Sequence, residues 1–256
     1  MPVVKLILAY DGSGFRGFAR QPRARTVQGV LEDTLGKVLG KAPKLSVAGR
    51  TDAGVHALGQ VVSFEAELDP ARIQRSINRL LGPEVVVRQA AHARSGFDAR
   101  HSATEREYRY RIRTSQWPDP FGARFEWHRP GTLALGPMRR AARLLVGEHD
   151  FASFCRPAPG SSTVRHLRRL SISRTGEITE VRAAADAFLH QMVRSLVGTL
   201  VWVGGGRLEP KDMPAILEAR DRAAAGPVAP PDGLTLLRVR YAAHPRGPGR
   251  SRVSGE

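Results

Sequence analysis

The chain holds a single cysteine, Cys155, in 256 residues. That excludes an intramolecular disulfide and any zinc site built on cysteines. Lysine is scarce too, at five of the 40 cationic residues, so nearly all the positive charge is guanidinium. Tyrosine occurs only four times, yet Tyr108 and Tyr110 fall within three residues of each other. No apolar run approaches the roughly 20 residues that span a bilayer, so no membrane segment is expected. The segment MPVVKLILAYDG runs straight into a strand-like pattern rather than a basic stretch, an apolar run and a cleavage site. No signal peptide is expected from that start, and a cytoplasmic location is. A G-x-x-x-x-G-K-[ST] phosphate loop is missing as well.

What is abundant is positive charge. Lys plus Arg is 40 against 24 for Asp plus Glu, a net charge of +16. A surplus of this size points to a polyanion, because neutralising phosphates releases counterions and drives association. The alternative is a solvated surface in an arginine-biased genome. The basic residues are spread along the chain rather than gathered on one amphipathic helix, which disfavours a membrane surface.

Periodicity organises the first half as β-α-β-β-α-β. Val3–Tyr10 alternates and runs into the Asp11-Gly12 turn. Thr26 is placed to cap a helix whose apolar positions are Val27, Leu31, Leu35, Val38 and Leu39. Leu45–Ala48 and Gln60–Phe64 read as strands, Asp69-Pro70 opens a second helix, and Val85–Ala91 is a strand. The second half repeats the theme loosely. It has a strand at Glu107–Arg113, a helix at Pro137–Val146, and a hairpin of Leu167–Ser173 with Thr179–Ala185. A helix over Leu189–Val203, a short helix at Lys211–Arg220 and a strand at Thr235–Tyr241 follow. The expected fold is α+β: two such halves, 1–104 and 105–243, form a central mixed or antiparallel sheet flanked by helices, with a cleft between them. The tail 244–256, rich in Pro, Gly and Arg, is expected to be disordered.

Gly12-Ser13-Gly14-Phe15-Arg16-Gly17 spells G-x-G-x-x-G after a strand. A dinucleotide fold would open a helix there at once, but Pro22 intervenes and the helix starts near Thr26. No nucleotide cofactor is expected.

Three segments carry the chemically capable residues. In Gly49-Arg50-Thr51-Asp52-Ala53-Gly54-Val55-His56 an aspartate stands between glycines at the exit of a strand. It can project into a cleft, or hydrogen-bond its own backbone in an Asx-turn. In the helix Leu189–Val203 the core is apolar around most of its circumference and Arg194 is the one charge. A guanidinium there needs a carboxylate partner, unless it snorkels to water from the helix start. If that partner is Asp52, the pair keeps the carboxylate ionised, and an Arg fork can hold it by two parallel hydrogen bonds. Tyr108-Arg109-Tyr110-Arg111 interleaves aromatics with cations on one strand, as suits stacking an unpaired base; the tyrosines could equally be core.

With these residues in view, the sequence resembles the tRNA pseudouridine synthase A family over nearly its whole length, from Tyr10-Asp11-Gly12 to Gly233-Leu234-Thr235-Leu236. The most specific match is Gly49–His56, whose aspartate is the family nucleophile. Further matches are Ala99-Arg100 with Ser102-Ala103-Thr104, then Tyr108-Arg109-Tyr110, whose first tyrosine contacts the target base. Leu144–Phe151 matches a further block, and Ala187–Arg194 matches another, whose arginine pairs with the aspartate. Departures are Gly17-Phe18-Ala19 for the usual Gly-Trp-Gln, a short stretch Cys155–Thr163, and Thr235 where a tyrosine is common.

The resemblance implies an isomerase that converts uridine to pseudouridine in the anticodon stem-loop of transfer RNA, without cofactor or metal. It implies Asp52, Arg194 and Tyr108 as catalytic residues. Arg50, His56 and Arg100, with Tyr108, would hold the extruded nucleotide and its phosphates. It also implies a homodimer whose subunits share one basic surface for transfer RNA. Two rivals stand beside it. A non-catalytic RNA-binding module has no use for a Gly-flanked aspartate and a lone buried arginine. A nucleoside hydrolase or glycosidase typically needs two carboxylates, and no second one stands out near these motifs.

The charge balance predicts an RNA affinity that falls steeply with salt, as several phosphates are neutralised per complex. Filter binding from low to physiological salt measures this; a nearly flat dependence would reduce the charge to a solvated surface.

Overall fold

Alternation makes the first strand, β1 (Val3–Tyr10): Val4, Leu6, Leu8 and Tyr10 all face the core. The computed structural model describes residues 1–156 and 160–242, so the tail expected to be disordered lies outside the described residues. Helix α1 (Val27–Leu39) begins where the Thr26 hydroxyl accepts the Gly29 N–H, and it buries Leu31 and Leu35. Two strands follow, β2 (Ser46–Val47) and β3 (His56–Glu65). Helix α2 (Pro70–Leu81) starts on the Asp69 carboxylate, which accepts the Ala71 N–H, with proline in its first turn. Strand β4 (Val85–His92) completes the expected β-α-β-β-α-β order.

The second half contains β5 (Ala103–Arg113), β6 (Trp127–His128), α3 (Leu135–Leu144) and β7 (Gly147–Asp150). The hairpin β8 (Val164–Thr175) and β9 (Ile178–Ala185) leads to α4 (Met192–Gly204), α5 (Met213–Ala219) and β10 (Leu234–Tyr241). Strands β6 and β7 were not expected. The first has two residues, and the second, Gly-Glu-His-Asp, shows no apolar alternation; neighbouring strands recruit both. Helix α4 begins three residues later than its apolar pattern suggests, because Gln191 turns into it at φ 64°.

Among the described residues the strands form one sheet, in the order β4-β1-β3-β10-β5-β9-β8-β7, with β2 added to β3 and β6 to β5. Pairing is antiparallel except for β10 on β3 and β6 on β5, so the sheet is mixed. Strand β10 therefore joins the β3 side to the β5 side. One hydrophobic core runs beneath this sheet and includes Leu31, Ile77, Met138, Leu196 and Ile216 from the five helices. Among the described residues no helix is long and apolar enough to cross a membrane.

Helix α4 is buried on nearly every side, with Arg194 as its one charged residue. Residues 226–232 cross it as a strap. The Gly226 N–H donates to Thr199 Oγ1 (2.9 Å) and the Ala229 N–H to the Arg194 carbonyl (3.1 Å). The strap lies so close that a Cβ on Gly198 would sit 1.7 Å from the Pro227 carbonyl oxygen.

Replacing a helix glycine with alanine ordinarily stabilises by about 1 kcal/mol. Here Gly198→Ala is expected to destabilise by about 1–3 kcal/mol, since backbone must move to admit one methyl. Urea unfolding measures it, and an unchanged or raised midpoint would show that the strap is not seated on this helix.

Candidate active site

Asp52 stands in the loop between β2 and β3, and that loop is clamped from below. The Tyr10 hydroxyl lies 2.8 Å from Thr51 Oγ1, and Gln60 Nε2 donates to the Gly49 carbonyl (2.6 Å) and toward the Tyr10 oxygen (3.3 Å). Burial pushes the Tyr10 phenol up to about 12, so it serves this network as a neutral hydroxyl. From the side, Phe18 N–H donates to the Thr51 carbonyl (3.0 Å) and Gly54 N–H to that of Phe15 (3.3 Å). Two of the three glycines of the G-x-G-x-x-G sequence, Gly12 and Gly17, explain themselves here. A Cβ on Gly12 would sit 2.1 Å from the Val55 carbonyl oxygen, and Gly17, at φ 95°, lies against the Thr51–Ala53 backbone. They let one loop lie backbone to backbone on another.

Arg194 reaches this loop from the first turn of α4. Its Nη1 donates to Asp52 Oδ2 at 3.0 Å, across 142 positions of sequence, and its Nε donates to the Ala229 carbonyl of the strap at 2.7 Å. The fork is thus divided between a carboxylate and a carbonyl rather than closed on the carboxylate alone. The other carboxylate oxygen, Oδ1, lies 3.5 Å from His190 Nε2. The Arg194 and Asp52 side chains are 14% and 20% exposed, so the pair is sheltered and still reachable from the cleft.

The cleft above them has a volume of about 1610 Å³ and takes its walls from both sides of the sheet. Tyr108 forms part of one wall, its ring edge-on to Phe188 with centroids 5.1 Å apart. Burial raises its phenol well above the ordinary value, so it meets a ligand as a neutral ring and hydroxyl. Tyr110 is core instead: it is fully buried, and its hydroxyl donates to the Pro230 carbonyl (2.7 Å), holding the strap. Arg50 and Arg100 line the cleft as exposed cations.

His56 is not on the cleft wall. It is 2% exposed, its Nδ1 accepts the Gly12 N–H (3.0 Å), and its ring packs on Phe125 (4.8 Å). Burial holds it below the usual histidine value against the pull of Asp11, so it is a neutral tether for the 11–14 loop. Phe18, where the family has tryptophan, is a fully buried side chain beside Tyr10. Thr235 is buried and pairs with His56 in the β10–β3 ladder.

Two contributors escaped sequence reasoning. Arg106 donates to the carbonyls of Ala48, Arg100, Ala103 and Asp186, at 2.7–3.1 Å, drawing the approaches to three site segments together. Its partners are backbone atoms, which leave no trace in residue types. His190 sits inside the quoted Ala187–Arg194 match, and its spacing of four before Arg194 could have flagged it. Among the described residues no group of three or more His, Cys, Asp or Glu side chains could hold a metal ion.

A carboxylate held by arginine at the floor of a cleft walled by cations and an aromatic ring has the chemistry to receive an unpaired base and its phosphates. The family model described as tRNA pseudouridine synthase matches residues 6–101 and 141–242. The chain is 44% identical over 245 residues to "tRNA pseudouridine synthase A" of Methylobacterium sp. (strain 4-46), covering 94% of this chain and 98% of that one. Relatives with the same name from Moorella thermoacetica (43% over 249 residues; 94% and 100% covered) and Frankia casuarinae (46% over 262; 98% and 93%) match alike. The chain belongs to the tRNA pseudouridine synthase family.

Because the Arg194 fork serves two acceptors in different directions, a lysine ammonium cannot replace it. Arg194→Lys should fold and lose about 100-fold in turnover. Arg194→Met should lose nearly all activity and about 1–3 kcal/mol of stability, since the Ala229 carbonyl also loses its donor. Wild-type turnover in the lysine variant would remove Arg194 from the active site.

Proposed function

We propose that this chain isomerises uridine to pseudouridine in the anticodon stem-loop of transfer RNA, with Asp52 as the nucleophile. The observation that carries the reading is the 3.0 Å contact of Arg194 with Asp52 at the floor of the basic cleft, in a chain of this family. The target uridine must leave its stack to reach that floor. The N-glycosidic bond breaks, the uracil turns, and a carbon–carbon bond to C1′ replaces it. Asp52 either attacks the nucleotide covalently or assists cleavage through a glycal-like intermediate; both routes use a carboxylate anion held in place. Arg194 holds that anion while leaving Oδ1 toward the cleft. Tyr108 stacks on or hydrogen-bonds the base, and Arg50 and Arg100 hold its phosphates. The conversion is an isomerisation, so its atom and electron balance calls for no redox partner or group donor.

The same reading includes a cytoplasmic homodimer whose subunits share one basic surface for transfer RNA. Within each subunit, residues 1–104 supply the aspartate loop, and 105–243 supply Tyr108 and Arg194. Support comes from the resemblance and from a net charge of +16.

The test is to incubate transfer RNA tritiated at uridine C5 with the protein and follow tritium release and pseudouridine. Free uracil as product would favour a glycoside hydrolase instead, and RNA binding without either product a non-catalytic module. Asp52→Ala and Asp52→Asn should abolish product while transfer-RNA affinity stays within roughly tenfold, because binding rests on many phosphate contacts. Turnover by purified Asp52→Ala above about 1% of wild type would sink the nucleophile assignment.

A further inference from the structure

Two basic side chains face Asp52 among the described residues, and they divide its oxygens. Arg194 takes Oδ2, while His190 Nε2 faces Oδ1 at 3.5 Å. The His190 side chain is half exposed and lines the cleft. Its backbone is fixed: Arg156 N–H donates to the His190 carbonyl (3.1 Å), and the next residue, Gln191, is held in the left-handed region at φ 64°. A set main chain thus holds this side chain at the mouth of the site.

The geometry points to His190 as the group that takes the C5 proton after the uracil has rejoined the ribose. This rests on the isomerisation proposed above. If Asp52 works at the sugar, C1′ lies beside its carboxylate, and so does C5 once bonded to C1′. A base placed on the outer oxygen of Asp52 is then next to that carbon. The other groups of the cleft do not supply one. Arg50, Arg100, Arg106, Arg165 and Arg194 are cations. The Tyr108 phenol keeps its proton, and Asp98 Oδ1 is occupied by the N–H groups of Arg100 and His101 (2.8 Å each). Glu65 and Glu67 line the cleft at the end of β3 remote from the Asp52 loop. His101 lines the cleft as well, but the imidazole that faces the aspartate, at 3.5 Å, is His190. An imidazole nitrogen can accept a proton and pass it on.

The step balances. The departing uracil anion uses its electron pair to form the C5–C1′ bond, leaving a double bond between N1 and C6. On the covalent route the C1′–O bond to Asp52 breaks and its pair returns to the carboxylate; on the glycal route Asp52 returns to C2′ the proton it had taken. Neutral His190 takes the proton from C5, and the C–H pair restores the C5–C6 double bond. The pair between N1 and C6 moves onto N1. That nitrogen is then protonated by the imidazolium, or by water reaching the half-exposed ring. One proton leaves C5, one arrives at N1, and nothing is oxidised.

The experiment uses the purified full chain and transfer RNA carrying either ordinary or C5-deuterated uridine. His190→Gln keeps a hydrogen-bonding side chain without a titrating ring. It should lower kcat about 100-fold with little change in KM, and should raise the deuterium isotope effect above the wild-type value, because proton removal becomes slow. Imidazole added to His190→Ala should restore part of its turnover, since the cleft has room for it. Wild-type kcat in His190→Gln overturns the assignment. So does lost activity with an unchanged isotope effect and no rescue by imidazole, which would make His190 a support for Asp52 only. A wild-type protein that forms no pseudouridine would remove the isomerisation itself, and this step with it, an outcome distinct from active wild type with indifferent variants.

Discussion

Asp52 and Arg194 are brought to 3.0 Å from positions 142 residues apart, and much of the architecture serves that contact. On the aspartate side, a loop is stacked on a second loop through backbone hydrogen bonds, and side-chain space is given up at Gly12 and Gly17 to allow it. On the arginine side, an apolar helix is pinned beneath a proline-rich strap that approaches it at Gly198 and Gly226. The strap also supplies the Ala229 carbonyl that orients the guanidinium. A sheltered cation needs both a counter-charge and a saturated hydrogen-bond set, and each is drawn from a different part of the chain.

The open face of the sheet disposes of many other charges. Glu107, 2% exposed, is held by Arg169 and Arg238, and Glu105 by Arg168 and Arg240. Glu126, 1% exposed, is held by Arg113 with Arg111 nearby. Acidic residues are thereby neutralised on the strands, while Arg50 and Arg100 stand exposed in the cleft. The cleft thus keeps exposed guanidinium groups beside the aspartate.

Much of this was legible in the sequence wherever side chains themselves carry the information. Thr26 and Asp69 cap the helices they were expected to cap, and the β8–β9 hairpin turns near Gly176. A lone charge in an apolar helix asked for a carboxylate, and Arg194 lies against one. Illegible features rest on backbone atoms. Arg106 reads four carbonyls, the strap is recognised by its closeness to Gly198, and β6 and β7 exist because neighbouring strands pair with them. Carbonyls are present at every residue, so composition and periodicity carry no record of which ones are used. The same holds for His56: among glycines and charges it looked like a ligand group, and its burial beneath Phe125 depends on a loop 69 residues away.

The sheet order has a consequence for synthesis on the ribosome. Strand β10 lies between β3 and β5, although the chain makes it after both. Until residues 234–241 emerge from the exit tunnel, the facing edges of β3 and β5 lack the partner that joins them, and such edges invite pairing with other chains. The strap that orients Arg194 immediately precedes β10, so it emerges at nearly the same moment. A nascent chain can accordingly form its helices and hairpins early, yet cannot present an ordered cleft to RNA until β10 is translated.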